Sequence, residues 1–162
     1  MALSFNMDEI LKMAEQIERN GSRFYRQAAE NTTGEAAKSK LLELADMEDS
    51  HEKVFALMRS ELSGRETQSI AFDPNGETEQ YLMAMADGNV FDRTADPVDL
   101  VAGKSLKDLL SIAIGLEKDS ILFYLGLRDL VPETRGREKV DGIIKEEMSH
   151  VTLLRNQIAT LG

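Results

Sequence analysis

The sequence predicts an all-α fold, a four-helix bundle of two helical hairpins joined by a long crossover that carries one short helix. Three observations predict it. Apolar residues recur every three or four positions through four long segments. Glycine and proline collect between the second and third segments, and strand-like alternation is nearly absent. With 162 residues, 42% of them hydrophobic, the chain can bury one substantial core, so a single domain over 1–162 is expected.

The first helix is expected from Asn6 to about Glu30, with Met7, Ile10, Leu11, Ala14, Ile17, Gly21, Phe24, Tyr25 and Ala28 on one stripe. Asn31-Thr32-Thr33-Gly34 interrupts it, and Thr33 or Gly34 is placed to cap the next. A second helix follows over about 35–62, through Leu41, Leu44, Ala45, Met47, His51, Val54, Phe55 and Met58. Residues 63–104 hold Gly64, Gly76, Gly88, Gly103, Pro74 and Pro97, which reads as a long connection with one short helix near Thr78–Ala86. Ser105 caps a third helix reaching about Leu130, Pro132 starts a turn, and a fourth helix fills about 135–161.

Composition excludes several classes. A net charge of −10 disfavours nucleic acid and anionic membrane surfaces, both of which select a basic face. The absence of cysteine rules out disulfides, thiol nucleophiles and Cys-ligated iron or zinc. Met1 to Phe5 lack the charged and apolar regions of a signal peptide, and no apolar run is long enough to span a bilayer. A soluble cytoplasmic protein is the expectation.

The chain has two histidines, and each has a glutamate three residues before it: Glu48-Asp49-Ser50-His51 and Glu147-Met148-Ser149-His150, 99 residues apart. Glutamate fills 17 of 162 positions, so chance makes both pairings about once in a hundred sequences. The same offset finds more. It carries Glu18 onto Glu117 and Phe24-Tyr25 onto Phe123-Tyr124. Each half therefore has a glutamate, a tyrosine seven residues later, and Glu-x-x-His thirty residues after that first glutamate. The pattern is that of a duplicated helical hairpin, which predicts a bundle with pseudo-twofold symmetry.

Residues three apart share a helix face, so each Glu-x-x-His directs a carboxylate and an imidazole to one point. One glutamate from each of two helices, with Glu-x-x-His from each of the other two, is the donor set of a two-metal carboxylate site in a bundle. Glu18, Glu48, His51, Glu117, Glu147 and His150 are the candidate ligands. Four carboxylates would balance two divalent cations. Such a site accepts iron, manganese or zinc. The competing reading makes these residues exposed charges on amphipathic helices. Against it, Glu117 ends the apolar run Ile112-Ala113-Ile114-Gly115-Leu116, where an unpaired carboxylate is costly.

Tyr25 and Tyr124 lie two turns beyond Glu18 and Glu117 on nearly the same face. Two readings stand: hydrogen bonding or electron supply at the metal site, or core tyrosines with satisfied hydroxyls. Gly21 and Ser120, each three residues past a candidate glutamate, leave room for a small oxidant or for helix contact. Gly103-Lys104-Ser105 lacks the earlier glycine of a phosphate-binding loop, since Val98 stands there. Asp73-Pro74-Asn75-Gly76 is a turn without the remaining ligands of a calcium loop. Met83 and Met85 are read as packing residues.

Between about Met7 and Ile158 the chain resembles the rubrerythrin branch of the ferritin-like di-iron carboxylate superfamily. The resemblance rests on Ile17-Glu18 through Phe24-Tyr25, on 44–51 (LADMEDSH), on 116–124 (LEKDSILFY) and on Glu146 through His150. It implies a ferritin-like bundle with two iron ions, Glu48 and Glu147 bridging them, and a homodimer. Two departures matter. Rubrerythrins carry a Cys-rich rubredoxin-like domain that feeds electrons to the iron, and this chain has no cysteine. They also place a redox-exchanging glutamate on the third helix where Ser120 stands here. The expected function is an oxidoreductase that reduces peroxide or dioxygen with electrons from a separate donor. A ferroxidase or iron-handling protein, and a purely structural or interaction bundle, are the alternatives.

Overall fold

In the computed structural model, residues 6–62, 75–86 and 97–161 are described. The expected crossover stretches 63–74 and 87–96, including Gly64, Pro74 and Gly88, lie outside them, as do Met1 to Phe5. The fold is an all-α ferritin-like bundle. Its four long helices are α1 (Met7–Glu30), α2 (Glu35–Ser60), α5 (Leu106–Leu130) and α6 (Arg137–Thr160). Between the hairpins come α3 (Glu77–Ala86) and a further five-residue helix, α4 (Pro97–Val101), which the spacing of apolar residues did not reveal.

Local chemistry sets the helix starts. Asn6 accepts from the Glu9 amide while the Glu9 side chain accepts from the Asn6 amide, a reciprocal cap that satisfies two otherwise unpaired donors. Ser105 and Asp108 repeat the arrangement at α5. Gly34 precedes α2 without a side-chain cap. The turn before α6 uses a 3-10 helix, Glu133–Arg135, and then Gly136 at φ 106°, so α6 begins two residues later than its apolar spacing suggests. A left-handed φ is strained for any residue with a Cβ, which accounts for glycine there.

α1 packs along α2 and α5 along α6, with α1 against α5 and α2 against α6 closing the bundle. The core is split in two. One apolar cluster gathers Ile10, Leu11, Ala14, Phe55, Phe123, Leu127, Val140 and Ile143. The other gathers Phe24, Ala28, Leu41, Leu44, Leu109, Leu110, Ala113 and Leu154. Each fully buried large apolar side chain contributes about 1.5–3 kcal/mol. Two such clusters can carry a layer of unfavourable polar burial between them. That layer is where the repeated glutamates and histidines fall.

The remaining helices dock on this frame. α3 lies on α5, where Tyr81 donates to the Leu122 carbonyl at 2.6 Å. Gly126 makes the approach possible, since a Cβ there would stand 2.8 Å from the Tyr81 ring. α4 lies on α1. A half-buried ion pair ties α1 to the far end of α2: Glu15 accepts from Arg59 Nε at 2.5 Å and from its Nη2 at 3.2 Å. Two parallel bonds fix the orientation as well as the charge. No helix among the described residues is long and apolar enough to cross a membrane.

Candidate metal centre

The six candidate residues converge from four helices. Glu18 comes from α1, Glu48 and His51 from α2, Glu117 from α5, and Glu147 and His150 from α6. All are buried, with Glu18 and Glu147 fully inaccessible. They form two overlapping groups, Glu18-Glu48-His51-Glu147 and Glu48-Glu117-Glu147-His150, whose donor atoms lie within 4.8 Å of one another in each group. Glu48 and Glu147 belong to both. The two imidazoles stack with centroids 5.9 Å apart and planes 18° from parallel.

Both histidines present Nδ1 to the carboxylates. His51 Nδ1 stands 2.7 Å from Glu147 and 3.3 Å from Glu18. His150 Nδ1 stands 3.4 Å from Glu117 and 3.5 Å from both Glu48 and Glu147. Tyr25 and Tyr124 cross between the halves: Tyr25 donates to Glu117, and Tyr124 donates to Glu18. Each hydroxyl is thereby satisfied and restrains a candidate ligand carboxylate, a contact that both readings of these tyrosines allow.

The electrostatics follow from crowding four carboxyls in a dry layer. Burial pushes Glu18 well above the ordinary carboxylate range, and the charges of Glu48 and Glu147 add to it. Glu117 and Glu48 are raised for the same first reason, with Glu147 again reinforcing. Glu147 goes the other way: burial opposes its charge, but Glu117 and both imidazoles hold it ionised. Burial also opposes the imidazolium forms. The adjoining carboxylates outweigh it, lifting His51 to about 11 and His150 to about 12. Burial, then the Glu117 or Glu18 charge, drives the Tyr25 and Tyr124 hydroxyls well upward, so both stay protonated donors.

The donor set fits a pair of divalent cations. Seven buried side-chain N and O atoms lack a hydrogen-bond partner among the described residues, and all seven belong to Glu18, Glu48, His51, Glu147 and His150. Buried polar atoms in folded proteins are almost always paired. Seven exceptions confined to one cluster, whose donor atoms converge, are what a pair of bound cations would satisfy once the imidazoles give up their protons.

One small residue stands beside the carboxylates. A Cβ on Gly21 would lie 2.6 Å from Glu48 Oε2, so glycine there makes room for the shared carboxylate itself. Gly21→Ala should fold but lower metal affinity at least tenfold, because Glu48 must move to admit the methyl group. Isothermal titration of the metal-free variant with a divalent ion would check it, and unchanged affinity would contradict it. Ser120, its counterpart in the other half, donates to its own helix at the Leu116 carbonyl, 3.0 Å away.

Sequence reasoning missed Glu146, whose Oε2 lies 2.5 Å from His51 Nε2. It also missed Glu15, buried by Arg59 rather than by the cluster. Both carboxylates sit among other charges in the sequence, and nothing in their spacing marks them.

A ferritin-like bundle with a buried layer of four glutamates and two histidines defines the class of di-metal carboxylate proteins. The chain belongs to the rubrerythrin family, whose sequence profile matches residues 9–158. Among solved structures it is similar to a Thermotoga maritima protein assigned to the ferritin-like diiron-carboxylate proteins, with 28% identity over 100% of each chain and a TM-score of 0.77. No match is found among curated protein sequences.

Proposed function

We propose that this protein is a non-haem di-iron oxidoreductase that reduces peroxide or dioxygen with electrons from a separate donor. The observation that carries the metal reading is the set of seven orphaned donor atoms on the converging residues. Glu18, Glu48, His51 and Glu147 would hold one ion, and Glu48, Glu117, Glu147 and His150 the other. Iron bound there supplies two electrons, which with two protons convert one hydrogen peroxide to two waters.

The chain's own groups set the conditions for that chemistry. Four carboxylates favour the more highly charged state of the metals, and the apolar layers above and below exclude bulk water. Tyr25 and Tyr124 keep Glu117 and Glu18 aimed inward through a change of metal charge. The 162 residues contain no cysteine to hold a second iron centre, so in this reading reducing equivalents reach the site from a donor outside them.

The test is stopped-flow oxidation of the anaerobic, ferrous-loaded protein by hydrogen peroxide and, separately, by dioxygen, followed by turnover with a reductant. Fast oxidation with repeated turnover is expected. A single slow oxidation would sink the proposal. Processing of many more than two ferrous ions per chain would replace it with an iron-handling role.

A further inference from the structure

The repeat makes the two metal positions look equivalent, but the outward sides of the two imidazoles differ. His51 Nε2 meets the Glu146 carboxylate at 2.5 Å. His150 Nε2 is equally buried and meets no hydrogen-bond partner among the described residues. The 99-residue offset explains the difference. It carries Glu146 back onto Met47, an exposed thioether on α2. A thioether is a poor acceptor for an imidazole N–H. Among the described residues, one half thus has a carboxylate behind its histidine and the other has none.

A carboxylate on the outward nitrogen fixes the proton there, leaves the Nδ1 lone pair for the metal, and holds the ring in orientation. We propose that Glu146 makes the two metal positions unequal. The position bounded by Glu18 and His51 fills first and holds its ion tightly. The position bounded by Glu117 and His150 is the looser one, which exchanges its ion with solution and yields most readily to an incoming small molecule. Glu146 is a positioning residue, acting through His51. The inference rests on reading the cluster as a two-metal centre.

Cobalt(II), added to the metal-free full-length protein and followed by its visible absorption and by calorimetry, separates these claims. The wild type should bind two equivalents in two resolved steps. Glu18→Ala should remove the tighter step and Glu117→Ala the weaker. Glu146→Ala should weaken the tighter step by about ten- to a hundredfold, with Glu146→Asp recovering part of the loss. In the zinc-loaded protein, the slowly exchanging Nε2 proton of His51 should be visible by NMR and should vanish in Glu146→Ala, a signal that a merely structural role would not move. Met47→Glu should tighten the weaker step. Two equal steps in the wild type, or a tighter step indifferent to Glu146→Ala, overturns the inequality while leaving the two-metal reading intact. Failure to bind any cobalt overturns both.

Discussion

Glu147→Ala should reduce the metal content of the protein from two ions per chain to fewer than one, whereas Glu18→Ala should leave about one. The difference follows from sharing. Glu18 belongs to one donor group, but Glu147 belongs to both, and both its carboxylate oxygens are buried without a hydrogen-bond partner. Glu147 is also the one carboxylate of the cluster that its neighbours hold ionised, beside both imidazoles. Its loss strips each ring of a counter-charge in a dry layer. Removing one partner of a buried ion pair typically costs about 3–5 kcal/mol, so the metal-free variant should also melt earlier. Elemental analysis after loading with excess ferrous iron and desalting under argon reads the first effect, and a thermal melt reads the second. Two ions retained by Glu147→Ala would show that it is not shared.

Metal should raise the melting temperature strongly, and the rise should grow between pH 5 and pH 8. A ligand at a thousand times its dissociation constant adds about 4 kcal/mol per site, or about 8 kcal/mol for two. For a domain of this size that corresponds to roughly 15–30 °C. The pH dependence comes from the protons that metal must displace. Glu18, Glu48, Glu117, His51 and His150 all have raised values in the metal-free fold. A raised group contributes stability that is fully present below its unfolded value and is lost as pH climbs through its folded value. For the histidines that window opens near 6.5 and closes at about 11 to 12. Glu147 has the opposite sign, since its lowered value gives stability lost only below the unfolded carboxylate range, outside the pH 5–8 interval. Over that interval the metal-free protein therefore weakens as pH rises. Metal binding, which needs the same groups deprotonated, becomes easier. Paired melts with and without metal at several pH values would show the gap widening. A constant or shrinking gap would contradict it.

Much of this was legible because duplication repeats chemistry at a fixed offset. Glu18 and Glu117, like Tyr25 and Tyr124, are separately unremarkable; together at 99 residues they identify a shared layer. Helical spacing located the long helices to within a residue or two at most ends, because an amphipathic stripe spans many residues and averages out local noise. The same averaging hides short elements, so α4 escaped. Contacts between helices were less accessible still. The sequence shows Gly21 as small but cannot say that its missing Cβ clears the Glu48 carboxylate. It shows Glu15 beside Glu18 on one helix but not that Arg59, 44 residues away, takes one out of the metal layer. Glu146 departs from the repeat, and a departure carries no signal for a search built on recurrence.

The crossed tyrosines have a consequence for the order in which the molecule assembles. Each hairpin makes most of its contacts within itself and can zip up early from near neighbours in the chain. Neither can finish its own terminal glutamate, because the hydroxyl that fixes Glu18 is on α5 and the one that fixes Glu117 is on α1. A nascent chain with only its first hairpin out of the ribosome therefore presents half a ligand set with an unsteadied carboxylate. A shared pair of ions drawing on donors from both hairpins is expected to be captured only once the second hairpin has docked, riveting the seam between them.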